Sequence, residues 1–338
     1  MVAESAREAL GYRVISESQS AAGQAAPVDA DRIRVVLNPT ARSGTAAAVR
    51  EEIARALDAR GVAWTRVDTS HPGHAVAIAR QAALDGVRIV VAVGGDGTVH
   101  EVANGLLRAR EEREHTTALG IVPCGTGNDF AHVVARIRTR EAAYDALLRG
   151  HTRQVDAGFV QWDGAGEYFV NAMGTGMDVE VVRQLRKTSR LPGALIYLGA
   201  VLRTLRVYRP LPLRMESEAG VVDSRAYVVA ICNGRRIAGG LRVCPDSRPD
   251  DGQLDALFVQ DLAWYQIPPT LVGVLFGTHV HRPRVRMVRS PAFTLAVPRG
   301  TRFYFQVDGE LRDAGDSHTL RVTTLPGALR VISAANQE

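Results

Sequence analysis

Lysine is almost missing from this chain. Of 41 Lys and Arg residues in 338, Lys187 is the only lysine. Any mechanism that needs a lysine therefore has one position to use. The arginine excess fits two readings, a GC-rich coding bias or a basic surface for phosphates and anionic headgroups. A formal net charge of +5 is too mild at this length to argue for nucleic acid. Cysteine is also scarce. Cys124, Cys232 and Cys244 form no C-x-x-C pair and cannot build a disulfide framework, which suits a reducing compartment. No apolar run reaches the roughly 18 residues of a membrane-spanning helix, because Arg, Pro or Gly breaks each one, so no transmembrane segment is expected. Residues 1–31 lack the basic start and apolar core of a signal peptide and read as a flexible leader.

What is present is a globular composition, 46% hydrophobic and 23% charged, in a length sufficient for two domains. From residue 32 the text alternates. Apolar strand-like runs at 33–37, 62–67, 87–93 and 119–122 are separated by helical spacing at 45–59, 74–84 and 98–110. The strands are apolar on both faces, as in a parallel sheet covered by helices. Beyond Gly158 the rhythm changes. Short runs at 168–172, 211–216, 226–232, 254–259, 285–289, 293–296, 303–307, 320–322 and 329–332 are mostly divided by Asp-Gly or Asn-Gly turns. Helical insertions are expected at about 179–208 and 262–277. The predicted architecture is a flexible leader (1–31), a three-layer α/β nucleotide domain with a parallel sheet (32–158), and an antiparallel β-sandwich domain (159–338) whose last residues are free to pack back on the first.

Chemistry gathers at the strand ends. Gly94-Gly95-Asp96-Gly97-Thr98 lies where a buried strand gives way to a helix. The first amides of a helix lack intrahelical partners, and its dipole is positive there, so a di- or triphosphate is the natural guest. Asp96 would repel such a guest unless a cation such as Mg²⁺ stood between them. Pro123-Cys124-Gly125-Thr126-Gly127-Asn128-Asp129-Phe130 and Asn38-Pro39-Thr40-Ala41-Arg42-Ser43-Gly44 follow two further strands in the same way. Loops at the carboxyl ends of parallel strands line one crevice. Known nucleotide motifs fail in turn. The P-loop needs Gly-Lys, and Lys187 follows Arg186; protein kinases need an early strand lysine and His-Arg-Asp. Each Gly-x-Gly lacks the third glycine of a dinucleotide fingerprint.

Gly94-Gly95-Asp96-Gly97-Thr98 with Glu101 and Asn104, then Pro123-x-Gly125-Thr126-x-Asn128-Asp129-Phe130-Ala131, resembles the diacylglycerol kinase catalytic domain, the family of bacterial lipid kinases related to sphingosine and ceramide kinases. Asn171-x-x-Gly174-x-Gly176-x-Asp178, Asp250-Asp251-Gly252-x-Leu254-Asp255, Asp308-Gly309-Glu310 and Pro326-Gly327-Ala328-Leu329 continue the resemblance in the family's order. It implies transfer of the γ-phosphoryl of ATP, with Mg²⁺, to a lipid hydroxyl, with diacylglycerol as acceptor and phosphatidic acid as product. Sphingoid bases and other lipid or polyprenol-type alcohols are alternative acceptors. The resemblance assigns nucleotide contacts to Asn38, Thr40, Arg42, Ser43, Thr69, Gly94, Gly95, Gly97, Thr98, His100, Glu101 and Thr126. Asp96 resembles the catalytic-site aspartate, and Glu310 the proton acceptor. Asp251, with the carbonyls of Arg248 and Gln253, resembles a second, structural Mg²⁺ loop; an ion-free β-turn is the other reading. Asp178 either orients the acceptor hydroxyl or caps a helix. The implied setting is cytoplasmic, peripheral to the inner face of the membrane, with a homodimer possible as in other members.

Other features are less specific. His71 with His74, and His279 with His281, are pairs without a third metal ligand nearby in sequence. Residues 195–208, with Arg282, Arg284, Arg286 and Arg289, suit either anionic lipid or an ordinary solvated face. Two rival functions stand beside the lipid kinase: an NAD or small-metabolite kinase using the same glycine turn, and a lipid- or nucleotide-binding regulator without turnover.

Overall fold

A computed structural model describes residues 33–39, 45–59, 61–185, 204 and 208–334. The expected leader, and Thr40, Arg42, Ser43 and Lys187, lie outside the described residues. The first half alternates as its sequence predicts: β1 (Ile33–Leu37), α1 (Thr45–Asp58), β2 (Trp64–Asp68), α2 (His74–Leu84), β3 (Ile89–Gly94), α3 (Asp96–Glu112) and β4 (Ala118–Pro123). The strands pair in parallel in the order β4-β3-β1-β2, with Ile33 level with Ile89 and Trp64. Val90, Val91, Ala92 and Val93 are buried, which explains why β3 carries no polar face. α1 presents Val49, Ile53 and Leu57, one turn apart, to the same core. α2 and α3 cross closely at Gly105, where a Cβ would stand 2.4 Å from the Val76 carbonyl oxygen. That contact fixes α3, whose first turn carries the glycine motif.

After α4 (Asp129–Val133) and α5 (Arg140–Arg149) the pairing turns antiparallel. β5 (Thr152–Trp162), β6 (Ala165–Phe169) and β7 (Ala172–Gly176) lead into α6 (Met177–Leu185). β8 (Leu211–Ser217), β9 (Gly220–Cys232) and β10 (Leu254–Gln260) precede α7 (Ile267–Phe276). β11 (Val285–Ser290), β12 (Ala292–Ala296), β13 (Tyr304–Val307), β14 (Glu310–Asp313) and β15 (Thr319–Ile332) complete the chain's described strands. The expected fold class, a parallel α/β part followed by antiparallel strands, is borne out.

The differences are local. The run 168–172 is two strands, not one, because the backbone between Val170 and Ala172 is drawn off the ladder by a side chain described below. β5 was not legible: its first three residues are Thr-Arg-Gln, and Asp156 sits in its middle. Gly158, where the rhythm changes, pairs within β5 with Phe169 and Thr324. The runs 320–322 and 329–332 are one strand, β15, irregular between Leu325 and Leu329. Of the expected helix at 179–208, residues up to Leu185 are α6, and most of the remainder lies outside the described residues.

β15 joins the two halves. Its first part pairs with β12 and supplies Leu320 and Val322 to the antiparallel core. Its end runs parallel to β4, Val331 opposite Leu119, and supplies Leu329, Val331 and Ile332 to the α/β core. Buried Asp156 secures the irregular stretch. One carboxylate oxygen accepts from the Gly327 amide at 2.8 Å, the other from the Gly252 amide at 2.7 Å. Replacing Asp156 with Ala strands both donors and is expected to cost about 3 kcal/mol in urea unfolding. An unchanged midpoint would remove Asp156 from this role.

Candidate active site

The glycine turn sits at the carboxyl end of β3. Gly95 is the N-cap of α3, and Asp96 its first residue. The next loop closes on it. A Cβ on Gly125 would lie 2.5 Å from the Gly95 Cα, so neither loop tolerates a side chain at the contact. Asn128, in the left-handed region at φ 56°, holds the second loop with its own amide group. Its Oδ1 accepts from the Gly125 N–H at 2.9 Å, and its Nδ2 donates to the Gly125 carbonyl at 3.0 Å. The Phe130 amide donates to Asp96 Oδ1 at 3.3 Å. Asp129 accepts from the Gly239 amide at 2.7 Å, which brings in a loop from the antiparallel half.

These loops border a cavity of about 440 Å³ that also takes in Asp178, Asp308 and Glu310. Its polar side is acidic, and Phe130, Val182 and Ile237 form part of an apolar side. Burial pushes the Asp96 carboxyl up to about 6, and the charge of Asp129 adds to the rise. Burial likewise raises Asp129, against the Gly239 hydrogen bond. Asp178 is buried and raised for the same reason; it accepts from Gln306 Nε2 at 2.9 Å. Gln306 in turn accepts from the Gly309 amide at 2.6 Å, so Asp178 is connected to the turn that bears Glu310.

Asp308 has the richest set of partners. Its Oδ1 accepts from the Asn171 and Ala172 amides at 3.0 and 2.9 Å. Its Oδ2 accepts from the Val170 amide at 2.9 Å and faces His100 Nδ1 at 2.9 Å. This is the side chain that separates β6 from β7. The other His100 nitrogen lies 3.0 Å from Glu167, which receives a two-pronged contact from Arg312 at 2.6 Å. Burial opposes protonation of His100, but the Asp308 and Glu167 hydrogen bonds outweigh it and lift the imidazole to about 9. Burial would raise Glu167, and its His100 and Arg312 contacts hold it below the usual range instead.

The predicted residues distribute as follows. Gly94, Gly95, Gly97 and Thr98 form the turn. Asn38 follows β1, with its amide on the Val93 carbonyl at 3.2 Å and its side chain 3.5 Å from Thr98 Oγ1. Thr69 follows β2 and bonds the Leu37 carbonyl at 2.9 Å. Thr126 is exposed on the second loop. The His100 ring, expected at the nucleotide, has both nitrogens committed to protein carboxylates. Glu101, expected there too, accepts from the Gly73 and Ala75 amides and caps α2. Asp178 opens α6, but its side chain is bonded to Gln306 rather than to the helix's own amides. Asp251 accepts from the Gln253 amide at 3.1 Å and lies 3.8 Å from Arg289; Arg248, Asp251 and Gln253 do not line the cavity. His279 is a core histidine, bonded through Nε2 to the Val243 carbonyl at 3.0 Å. Among the described residues, no three His, Cys, Asp or Glu side chains form a metal-binding group by themselves.

Residues 32–160 match the family model for the diacylglycerol kinase catalytic domain, and 171–333 that for the YegS C-terminal NAD kinase beta sandwich-like domain. These two matches in tandem make the chain similar to diacylglycerol kinases along most of its length and support a kinase. Diacylglycerol kinase from Bacillus subtilis (strain 168) is 26% identical over 82% of this chain and 89% of its own length. That from Staphylococcus aureus (strain JH9) is 26% identical over 82% and 86%. Among solved structures, a diacylglycerol kinase from Bacillus anthracis str. Sterne shares the fold at a TM-score of 0.66 and 19% identity, over 90% of this chain and 97% of that one. Another chain from the same organism reaches 0.71 at 22% identity, with the same coverage.

The histidine contact sets a pH dependence. Its folded value of about 9 lies above the ordinary 6.5, so its stabilisation is complete below about pH 6.5 and lost as pH rises through 9. The expected loss is about 3 kcal/mol. Urea unfolding of wild type and His100→Gln across this range reads it: wild type falls, and the variant stays flat. Parallel profiles would reject the charged histidine.

Proposed function

We propose that this chain is an ATP- and Mg²⁺-dependent lipid kinase that phosphorylates diacylglycerol to phosphatidic acid at the cytoplasmic face of a membrane. The observation that carries this reading is the shared cavity: Asp96 of the glycine turn and Glu310 of the antiparallel half border one space with an apolar wall. A small, wholly polar acceptor gives no reason for that wall, and the names of the curated relatives favour the diacyl acceptor.

The residues present fit a magnesium nucleotide. Gly95 and Gly125 bring the two loops into backbone contact, and the amides of Asp96 and Gly97, at the start of α3, have no intrahelical acceptors. The charge of Asp129 raises the affinity of Asp96 for positive charge. Mg²⁺ takes one or two carboxylates together with phosphate oxygens and water, which Asp96 and Asp129 supply on the protein side in this reading. When bound, the ion supplies charge neutralisation at the phosphates. The amides of residues 95–97, with Asn38, Thr69 and Thr126, hold the polyphosphate in this reading. The loop containing Thr40, Arg42 and Ser43 joins them on the strength of the family resemblance. Glu310 takes the proton from the lipid hydroxyl as its oxygen attacks, and Asp178, through Gln306, fixes the turn from which Glu310 reaches. The Arg248, Asp251 and Gln253 loop is the proposed place of a second, structural Mg²⁺, remote from the reacting groups.

Labelled ATP with a panel of diacylglycerol, a sphingoid base, phosphatidylglycerol and NAD tests this. Label is expected in diacylglycerol, and Glu310→Gln is expected to lower turnover by roughly 10²–10⁴-fold with nucleotide binding retained. Label in NAD alone would overturn the lipid reading.

Asp96→Asn separates activity from stability. The raised Asp96 value means that its contribution favours folding below pH 3.8 and is lost as pH rises through about 6. At neutral pH without metal, Asp96→Asn is therefore expected to lose activity while gaining up to about 3 kcal/mol of stability. Loss of both would show that Asp96 is structural.

A further inference from the structure

α7 has no polar face. Ile267–Phe276 contains no charged residue, and only Ile267, Thr270 and Gly273 are buried. Val272, Leu275 and Phe276 are more than half exposed. The 3₁₀ turn that leads into the helix adds Trp264, 82% exposed, and Tyr265, 63% exposed. A helix apolar all round is ordinarily covered, and a contiguous apolar patch on a protein surface marks an interaction site.

Charge identifies the partner. Residues 262–307 contain no Asp or Glu, where the chain's own average would give about five. The same stretch holds Arg282, Arg284 and Arg286, none of which is in an ion pair among the described residues. The Gln260 amide bonds the Arg284 carbonyl at 2.9 Å, so the arginine strand starts beside the point where the chain enters the Trp264 turn. Exposed aromatic and aliphatic side chains beside unpaired arginines, with no acid among them, match the interface of an anionic bilayer: rings at headgroup depth, guanidinium groups on phosphates.

Position links this face to the cavity. The Arg242 amide bonds the Val274 carbonyl of α7 at 3.1 Å. Leu271 and Val274 pack against the same buried cluster as Ile237 and Leu241, and Ile237 and Ala238 line the cavity. We propose that the Trp264 turn and α7, with Arg282, Arg284 and Arg286, form the surface by which this protein docks on anionic membranes, holding the cavity at the bilayer. Its purpose rests on the lipid-kinase reading; its evidence does not.

The test uses the full chain with phosphatidylcholine vesicles, with and without phosphatidylglycerol. Trp264 is expected to be accessible to acrylamide in the free protein, and to become shielded and quenched by brominated lipid on anionic vesicles. Co-sedimentation is expected to fall at least tenfold for Trp264→Ser/Phe276→Ser, and likewise for Arg284→Glu/Arg286→Glu. Both variants are expected to keep wild-type turnover on short-chain diacylglycerol dispersed in detergent. Wild-type vesicle binding by both variants would overturn the docking surface, as would a Trp264 already shielded in the free protein. A wild-type dimer that Trp264→Ser/Phe276→Ser converts to monomer would assign the face to a second copy instead. If vesicles bind but no lipid is phosphorylated in any form, the kinase reading fails while the docking surface stands.

Discussion

One carboxylate organises the centre of this molecule. Asp308 accepts three consecutive backbone amides from the β6–β7 link and holds His100 of α3 against Glu167 and Arg312. The glycine turn begins the same α3, and Glu310 follows Asp308 by two residues. The two sides of the cavity are therefore connected through buried, charged hydrogen bonds. Such groups are costly to bury singly and hold tightly when fully partnered. The Asp-Gly hairpin makes this possible: Asp308 and Gly309 both take positive φ, as a two-residue turn between twisted strands requires.

The acids of the cavity are only partly compensated. Asp96, Asp129 and Asp178 all have carboxyl groups raised above their ordinary range, chiefly by burial. His100 and Arg312 serve Asp308 and Glu167 rather than these acids. A site that holds its negative charges at a cost is poised to accept positive charge, in keeping with the proposed magnesium nucleotide.

β15 gives the two halves their relation. A strand that contributes to both cores, and is clasped at its irregular stretch by Asp156, makes one continuous sheet of what the sequence presents as two rhythms. The Asp156 carboxylate also holds Gly252 in the Asp250–Asp251 loop, so the sheet junction and that loop share a support. Motions of the halves relative to one another must bend this strand rather than swing about a linker.

Local chemistry was enough to read β1 to β4 and α1 to α3, because β1, β3 and β4 are apolar on both faces and the helices show apolar stripes. The glycine turns were legible too, since short motifs at strand ends carry their own geometry; Glu310 was singled out by the family resemblance, and the fold brings it to the same cavity as Asp96. Asp308 and Asp129 stood in the same motifs without a role, because a role depends on which amides arrive from elsewhere. Only the tertiary structure turned His100 toward Asp308 and Glu101 onto α2, threaded polar β5 through the sheet, and left an uncharged helix uncovered. Periodicity and turn residues act over a few positions. Burial and long-range hydrogen bonding are decided by partners up to 218 positions away, and those partners exist only once the chain has folded.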